Sequence, residues 1–195
     1  MHLFLFLTHL SFDVQSLHMI KAAFIAIAVS LGFSAAAQQE ISKDAEGNKI
    51  IKGFMTRKDL ASDSAFAWFA QNQAGFAPNA DAVNAFRNQK DSIHILAFGG
   101  TWCGDTKYIL PKFYMLADAA GLPESRITLV GVDRSKKTVH NLTEPFGITN
   151  VPTFIVLKNG KEIGRVVEYG KYGLVDKELG EIVAGPKKEP APKKK

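Results

Sequence analysis

Cys103 is the only cysteine in the 195-residue chain and the residue best suited to covalent chemistry. It stands in Thr101-Trp-Cys-Gly-Asp-Thr106, just after the apolar run Ser92-Ile-His-Ile-Leu-Ala-Phe98 and the breaker Gly99-Gly100. An apolar run of strand length, a glycine pair and an amphipathic stretch predict strand, turn and helix, with the helix over Cys103–Ala120. Cys103 then opens a helix, where unpaired N–H groups and the helix dipole favour thiolate over thiol. A thiolate is the nucleophile of disulfide exchange. A single cysteine excludes an intramolecular disulfide and any zinc site built on several thiolates. Mixed-disulfide chemistry with another molecule remains open.

The other chemistry-bearing residues give weaker signals. His94 lies in an apolar strand and reads as a satisfied core histidine; His140 reads as a surface residue of a helix. These histidines have no matched spacing for a metal, so neither a metal nor any other cofactor is expected. Nothing in their placement supports a Cys-His hydrolase dyad. Gly99, Gly100 and Gly104 make no phosphate-binding pattern. Lys107, Lys112, Lys136 and Lys137 read as a solvated face.

The elements that must position Cys103 follow from the pattern around it. Arg126–Val132 and Thr153–Leu157 read as buried strands, and Lys161–Val167 as a fourth, joined to the third by the type I′ turn Asn159-Gly160. Helices are expected over Lys137–Phe146, ended by Gly147, and over Val175–Val183. The order from Ser92 is β-α-β-α-β-β-α. Helical crossovers predict that the first three strands are parallel and that the last pair is antiparallel. Pro111 falls inside the helix after Cys103 and should kink it. Upstream, Ile41–Phe54 with the turn Asp44–Asn48 reads as a hairpin or extended segment. Asp63 should cap a helix through Asn72, and Pro78–Asp81 should start another that ends near Lys90. This extension, residues 38–90, either caps a sheet edge or forms a partner surface.

Residues 19–37 read as a secretory signal peptide: Met19-Ile-Lys21, the apolar Ala22–Phe33, then Ser34-Ala-Ala-Ala37. Cleavage is expected after Ala37, with Met19 the true start. The apolar run is shorter than the roughly 20 residues a spanning helix needs. Secretion or a periplasmic location follows, with no membrane anchor after cleavage; an uncleaved anchor made from both N-terminal apolar segments is the alternative. The formal charge of +5 sits mostly in Pro186–Lys195, which holds five lysines and one glutamate. That tail cannot bury apolar surface and should be disordered. The basic balance therefore does not argue for a nucleic-acid partner.

From Ser92 to Gly185 the chain resembles the thioredoxin superfamily. Four features carry the resemblance, in order: the strand running into Trp102-Cys103, the segment Cys103-Gly-Asp-Thr106 in place of Cys-x-x-Cys, Pro111 five residues on, and Val151-Pro152-Thr153 before the closing hairpin. The resemblance implies an α/β fold, a thioredoxin-like three-layer sandwich with a mixed central sheet, here preceded by an N-terminal helical and extended extension. It implies a cis Pro152 that holds Val151 beside the sulfur. Cys103 becomes the nucleophile, and Trp102, Gly104, Asp105, Val151, Pro152 and Thr153 become substrate-binding residues.

Two departures shape the expected mechanism. Thr106 replaces the resolving cysteine and can offer only a hydrogen bond to the thiolate. Ala97 stands where the family often carries a buried aspartate. Asp105 reads as solvent-facing, its charge opposing the helix effect. The implied activity is a monothiol disulfide reductase, isomerase or deglutathionylation activity in cell redox homeostasis. Its partners would be disulfide-bearing or glutathionylated proteins, with an external thiol or reductase as electron donor and the protein a monomer. The alternative is a non-enzymatic thioredoxin-fold module that binds an envelope protein or peptide. A one-cysteine peroxidase ranks below both, because Gly100 occupies the place of its threonine, three residues before the cysteine.

Overall fold

The computed structural model of the protein describes residues 39–186. The expected signal peptide, its cut after Ala37 and nearly all of the lysine-rich tail lie outside these residues. Among the described residues no helix is long and apolar enough to cross a membrane.

The chain opens with a hairpin of β1 (Gln39–Lys43) and β2 (Lys49–Met55), paired antiparallel from Gln39↔Gly53 to Lys43↔Lys49. Its turn closes because the Asp44 carboxylate accepts from the Asn48 backbone N–H at 2.7 Å and from the Asn48 side-chain amide, while Gly47 takes φ 82°. Two short helices follow, α1 (Arg57–Ala61) and α2 (Trp68–Gln71). Asp63 caps only the 3₁₀ turn Ser64–Phe66 between them, so the continuous helix expected from Asp63 to Asn72 is broken in two. Helix α3 (Ala80–Gln89) is capped by Asn79. Then come β3 (Ile93–Gly99), α4 (Gly104–Ala120), β4 (Ile127–Gly131), β5 (Thr153–Lys158), β6 (Lys161–Val167) and α5 (Val175–Ala184).

All six strands form one mixed sheet in the order β1-β2-β4-β3-β5-β6. The N-terminal hairpin is thus part of the sheet, with β2 antiparallel to β4 (Gly53↔Gly131). Gly131 makes this join possible: a Cβ there would lie 2.1 Å from the Ile51 carbonyl oxygen.

Two expectations fail together. Strands β3 and β4 are parallel, but β5 runs antiparallel to β3, with Phe98 opposite Thr153 and Ile93 opposite Lys158. The helix expected over Lys137–Phe146 is a single 3₁₀ turn, Val139–Asn141, in which His140 and Asn141 have φ near +55 to +60°. Thr138, Thr143 and Pro145 are poor helix formers. Without a crossover helix, the chain after β4 stays at the end of the sheet where β3 and β4 finish, Val132 N–H bonding the Gly99 carbonyl at 3.0 Å. Strand β5 must therefore start there and run back.

The sheet separates two apolar clusters. On one face Ile95, Ala97, Phe154 and Val156 pack with Phe86, Phe113, Leu116 and Leu179 of the helices. On the other, Leu96, Phe98, Val130, Val132 and Ile155 are covered by Ile148 and Val151, with Leu142 and Phe146 packed against them. The third layer is thus the irregular segment 132–152.

Candidate functional site

The sharp turn from β3 into α4 depends on its glycines. A Cβ on Gly100 would meet the Trp102 ring at 2.7 Å, and one on Gly99 would meet Thr106 Cγ2 at 3.0 Å. The turn closes through Cys103 N–H to the Gly100 carbonyl at 2.9 Å. Thr101 ties this turn to the extension. It is buried, its hydroxyl donates to the Lys49 carbonyl at 2.8 Å, and it accepts from Ile51 N–H at 3.3 Å.

Cys103 is the N-cap residue of α4 and is half-buried. Its Sγ–H donates to the Val151 carbonyl at 3.3 Å. Its side chain accepts no capping hydrogen bond from the first turn. The expectation that the helix amides converge on the sulfur therefore does not describe this arrangement: the sulfur is turned toward the Val151 loop.

Thr106 also departs from expectation. It is fully buried, and its Oγ1 accepts from Gly100 N–H at 3.2 Å. The hydroxyl braces the turn and makes no hydrogen bond to the sulfur, because the packing of its methyl beneath Gly99 aims its oxygen at the glycine pair.

Asp105 was expected to face solvent but is half-buried, with Oδ1 accepting from the Tyr169 hydroxyl at 3.0 Å. That hydrogen bond to a carboxylate, with some burial, holds the Tyr169 phenol above its usual range. Sequence reasoning missed Tyr169, which lies in the loop after β6.

The opposite wall is the segment Asn150–Thr153. The Val151–Pro152 peptide bond is cis. Val151, Pro152 and Thr153 are buried, and Thr153 Oγ1 donates to the Asn150 carbonyl at 2.7 Å. Glu168 N–H donates to the Pro152 carbonyl at 2.7 Å, and the Glu168 carboxylate accepts from Asn150 Nδ2 at 2.9 Å. Residues 168 and 169 thereby tie the loop after β6 to the cis-proline segment and to the first turn of α4.

Trp102 forms the other flank. Its Nε1 donates to the Val132 carbonyl at 3.0 Å, and the Arg134 guanidinium lies over its ring at 5.2 Å. Gly104 is exposed, and a Cβ there would meet nothing within 4 Å. The half-buried Cys103, the Trp102 face and open ground at Gly104 make a shallow platform fit for an extended chain.

His94 is held by Thr128 Oγ1 at 2.8 Å, and burial, then the charge of Arg126, pushes its imidazole below its ordinary pKa. It sits five residues before Gly99, at the far end of β3, about 17 Å away at strand rise. It cannot pair with Cys103. His140 lies exposed on segment 132–152 rather than on a helix. Among the described residues no group of three or more His, Cys, Asp or Glu is placed to hold a metal ion.

A family model described as Thioredoxin matches residues 79–177, about half of the chain. Thioredoxin of Echinococcus granulosus is 33% identical over 84 residues, covering 43% of this chain and 73% of that protein. Thioredoxin of Chlamydia muridarum is 36% identical over 84 residues, covering 43% and 72%. Among solved structures, Fasciola hepatica thioredoxin aligns with a TM-score of 0.35 at 25% identity, covering 49% of this chain and 86% of that one.

Proposed function

This chain belongs to the thioredoxin family, and from that premise we propose that it is an exported monothiol member whose Cys103 forms mixed disulfides with disulfide-bearing or glutathionylated proteins. The single observation that carries the reading is Thr106: the position of the resolving thiol holds a buried hydroxyl committed to Gly100 N–H, and the chain has no other cysteine. Export rests on residues 19–37, which have the order of a secretory leader.

The exchange proceeds in two displacements. Cys103 loses its proton and attacks one sulfur of a substrate disulfide. A Cys103–substrate S–S bond forms, the old S–S bond breaks, and the other sulfur leaves as a thiolate that takes up a proton. An external thiol then attacks the mixed disulfide as its thiolate. Cys103 leaves and is reprotonated, and the substrate sulfur becomes bonded to the external thiol. A second external thiol completes reduction. The carbonyl of Val151 orients the resting thiol toward the cis-proline loop, whose backbone edge supports pairing with an extended substrate.

One observation favours the second reading, a non-enzymatic binding module. The sulfur rests as a donor to a carbonyl, without a capping bond from the helix amides. Intact mass measurement under non-reducing conditions decides between the two. Protein mixed with glutathione disulfide should gain one glutathionyl adduct, absent in Cys103→Ser and cleared by added thiol. Absence of any adduct on the wild type overturns the thiol reading and leaves the binding module.

A further inference from the structure

The extension, most of which lies outside the family match, builds a second feature beside the thiol. Strand β2 runs antiparallel to β4 with Gly53 opposite Gly131, while Gly131 stands opposite Gly99 of β3. Lys49, the first residue of β2, therefore lies past the ends of β3 and β4, at the same end of the sheet as Cys103. The hairpin turn projects there. Between that turn and the start of α4 lies a cavity of about 690 Å³ lined by Lys43, Glu46, Asn48, Lys49, Thr101 and Lys107, among others. Lys107 N–H bonds the Cys103 carbonyl at 3.0 Å, so this wall is one helical turn from the thiol residue.

The cavity's charges are unbalanced. Its carboxylate, Glu46, is drawn to Arg134 at 2.6 Å, and Arg134 is further held by Asp44. Lys49 is paired with Asp63 at 2.6 Å. Lys107 Nζ reaches only the neutral Asn48 side chain at 3.3 Å. Lys43 is exposed and makes no ion pair among the described residues. Two ammonium groups thus line a cavity large enough for several side chains, while the local acids are spent elsewhere. A basic concavity attracts acidic chains and speeds their encounter.

We propose that this cavity is a docking subsite for an acidic polypeptide segment of the substrate, with Lys43 and Lys107 meeting its carboxylates. The identity of the occupant as substrate rests on the thiol-exchange reading above. The test has two arms. In the first, binding of a labelled Glu-rich peptide and its Gln-substituted counterpart is measured on Cys103→Ala at about 50 mM and about 500 mM salt. The Glu peptide should bind about three- to tenfold more tightly at low salt. That preference should fall toward onefold at high salt, in Lys43→Glu, and in Lys107→Gln. Equal binding of the two peptides, or a preference that survives both variants, overturns the subsite while leaving the thiol reading intact.

In the second arm, the same sequences, each with one cysteine joined to 5-thio-2-nitrobenzoate, are mixed with wild-type protein. Attack by Cys103 forms the Cys103–peptide disulfide and releases the coloured thiolate. Faster release from the acidic peptide, abolished by the lysine variants, supports the proposal. No release from any peptide defeats the thiol reading, and with it the occupant's identity as substrate.

Discussion

Asn72 Nδ2 donates to the Lys107 carbonyl at 3.0 Å. Four residues on stands Pro111, inside the 17-residue helix α4. Proline has no N–H, so its place in the helix leaves the Lys107 carbonyl without its i→i+4 donor. A side chain from the extension supplies the missing hydrogen. The kinking residue expected from sequence and the end of an apparently unrelated segment are thus two halves of one repair.

Removing that donor should cost about 1–3 kcal/mol, the usual penalty of leaving a sheltered polar group unpaired. Asn72→Ala should lower the midpoint of chemical denaturation accordingly. In a Pro111→Ala background the helix recovers its own N–H, and the same Asn72→Ala change should cost clearly less. Equal costs in the two backgrounds would show the pair to be uncoupled.

Thr106 has two separable properties. Thr106→Val keeps the branched shape beneath Gly99 and deletes the acceptor for Gly100 N–H. It should destabilise by about 1–3 kcal/mol and leave the rate of Cys103 adduct formation within about twofold. A much slower rate would mean that the hydroxyl serves the sulfur after all. Thr106→Cys instead restores a resolving thiol, so mixed disulfides that persist in the wild type should clear without added thiol, as read by non-reducing mass spectrometry.

His94 sets a pH dependence of stability. Its folded-state pKa is depressed, first by burial and then by Arg126. Above the unfolded value of about 6.5 both states are neutral, and its contribution is fully present. As pH falls below that value the unfolded chain takes up a proton that the folded site resists, and stability declines. Denaturation midpoints should therefore drop from pH 7 to pH 5, with a shallower drop in His94→Gln, which keeps an amide facing Thr128.

Local signals carried most of the architecture. The apolar run before Gly99-Gly100, the Asn159-Gly160 turn and the helix start at Pro78–Asp81 needed no tertiary information, and those elements appear where expected. The failures were non-local. The direction of β5 depends on whether residues 132–152 cross the sheet, and the helix expected over Lys137–Phe146 before Gly147 is one that Thr138, Thr143 and Pro145 do not support. At the site, residue types near Cys103 were legible, but their orientations were not. Thr106 braces a turn because Gly99 leaves it room, and Asp105 meets Tyr169 only because the sheet brings together residues 64 positions apart.

The loop that carries Tyr169 is itself anchored by a buried carboxylate, which gives a last prediction. Glu178 is 7% exposed, and its Oε1 accepts from Lys171 N–H at 2.6 Å and Tyr172 N–H at 2.8 Å. Gly170 at φ +59° leaves space for that carboxylate, since a Cβ there would lie 2.4 Å from Oε1. The loop can close over Glu178 only with glycine at 170, and this closure positions Tyr169 on Asp105 at the edge of the thiol platform. Glu178→Ala strands two amides and should cost about 1–3 kcal/mol, while Glu178→Gln retains an acceptor oxygen and should cost less. Hydrogen exchange reads the difference directly. The Lys171 and Tyr172 amides should exchange much faster in Glu178→Ala and stay largely protected in Glu178→Gln. Unchanged protection in the alanine variant would mean that the loop is held by its own turn rather than by the carboxylate.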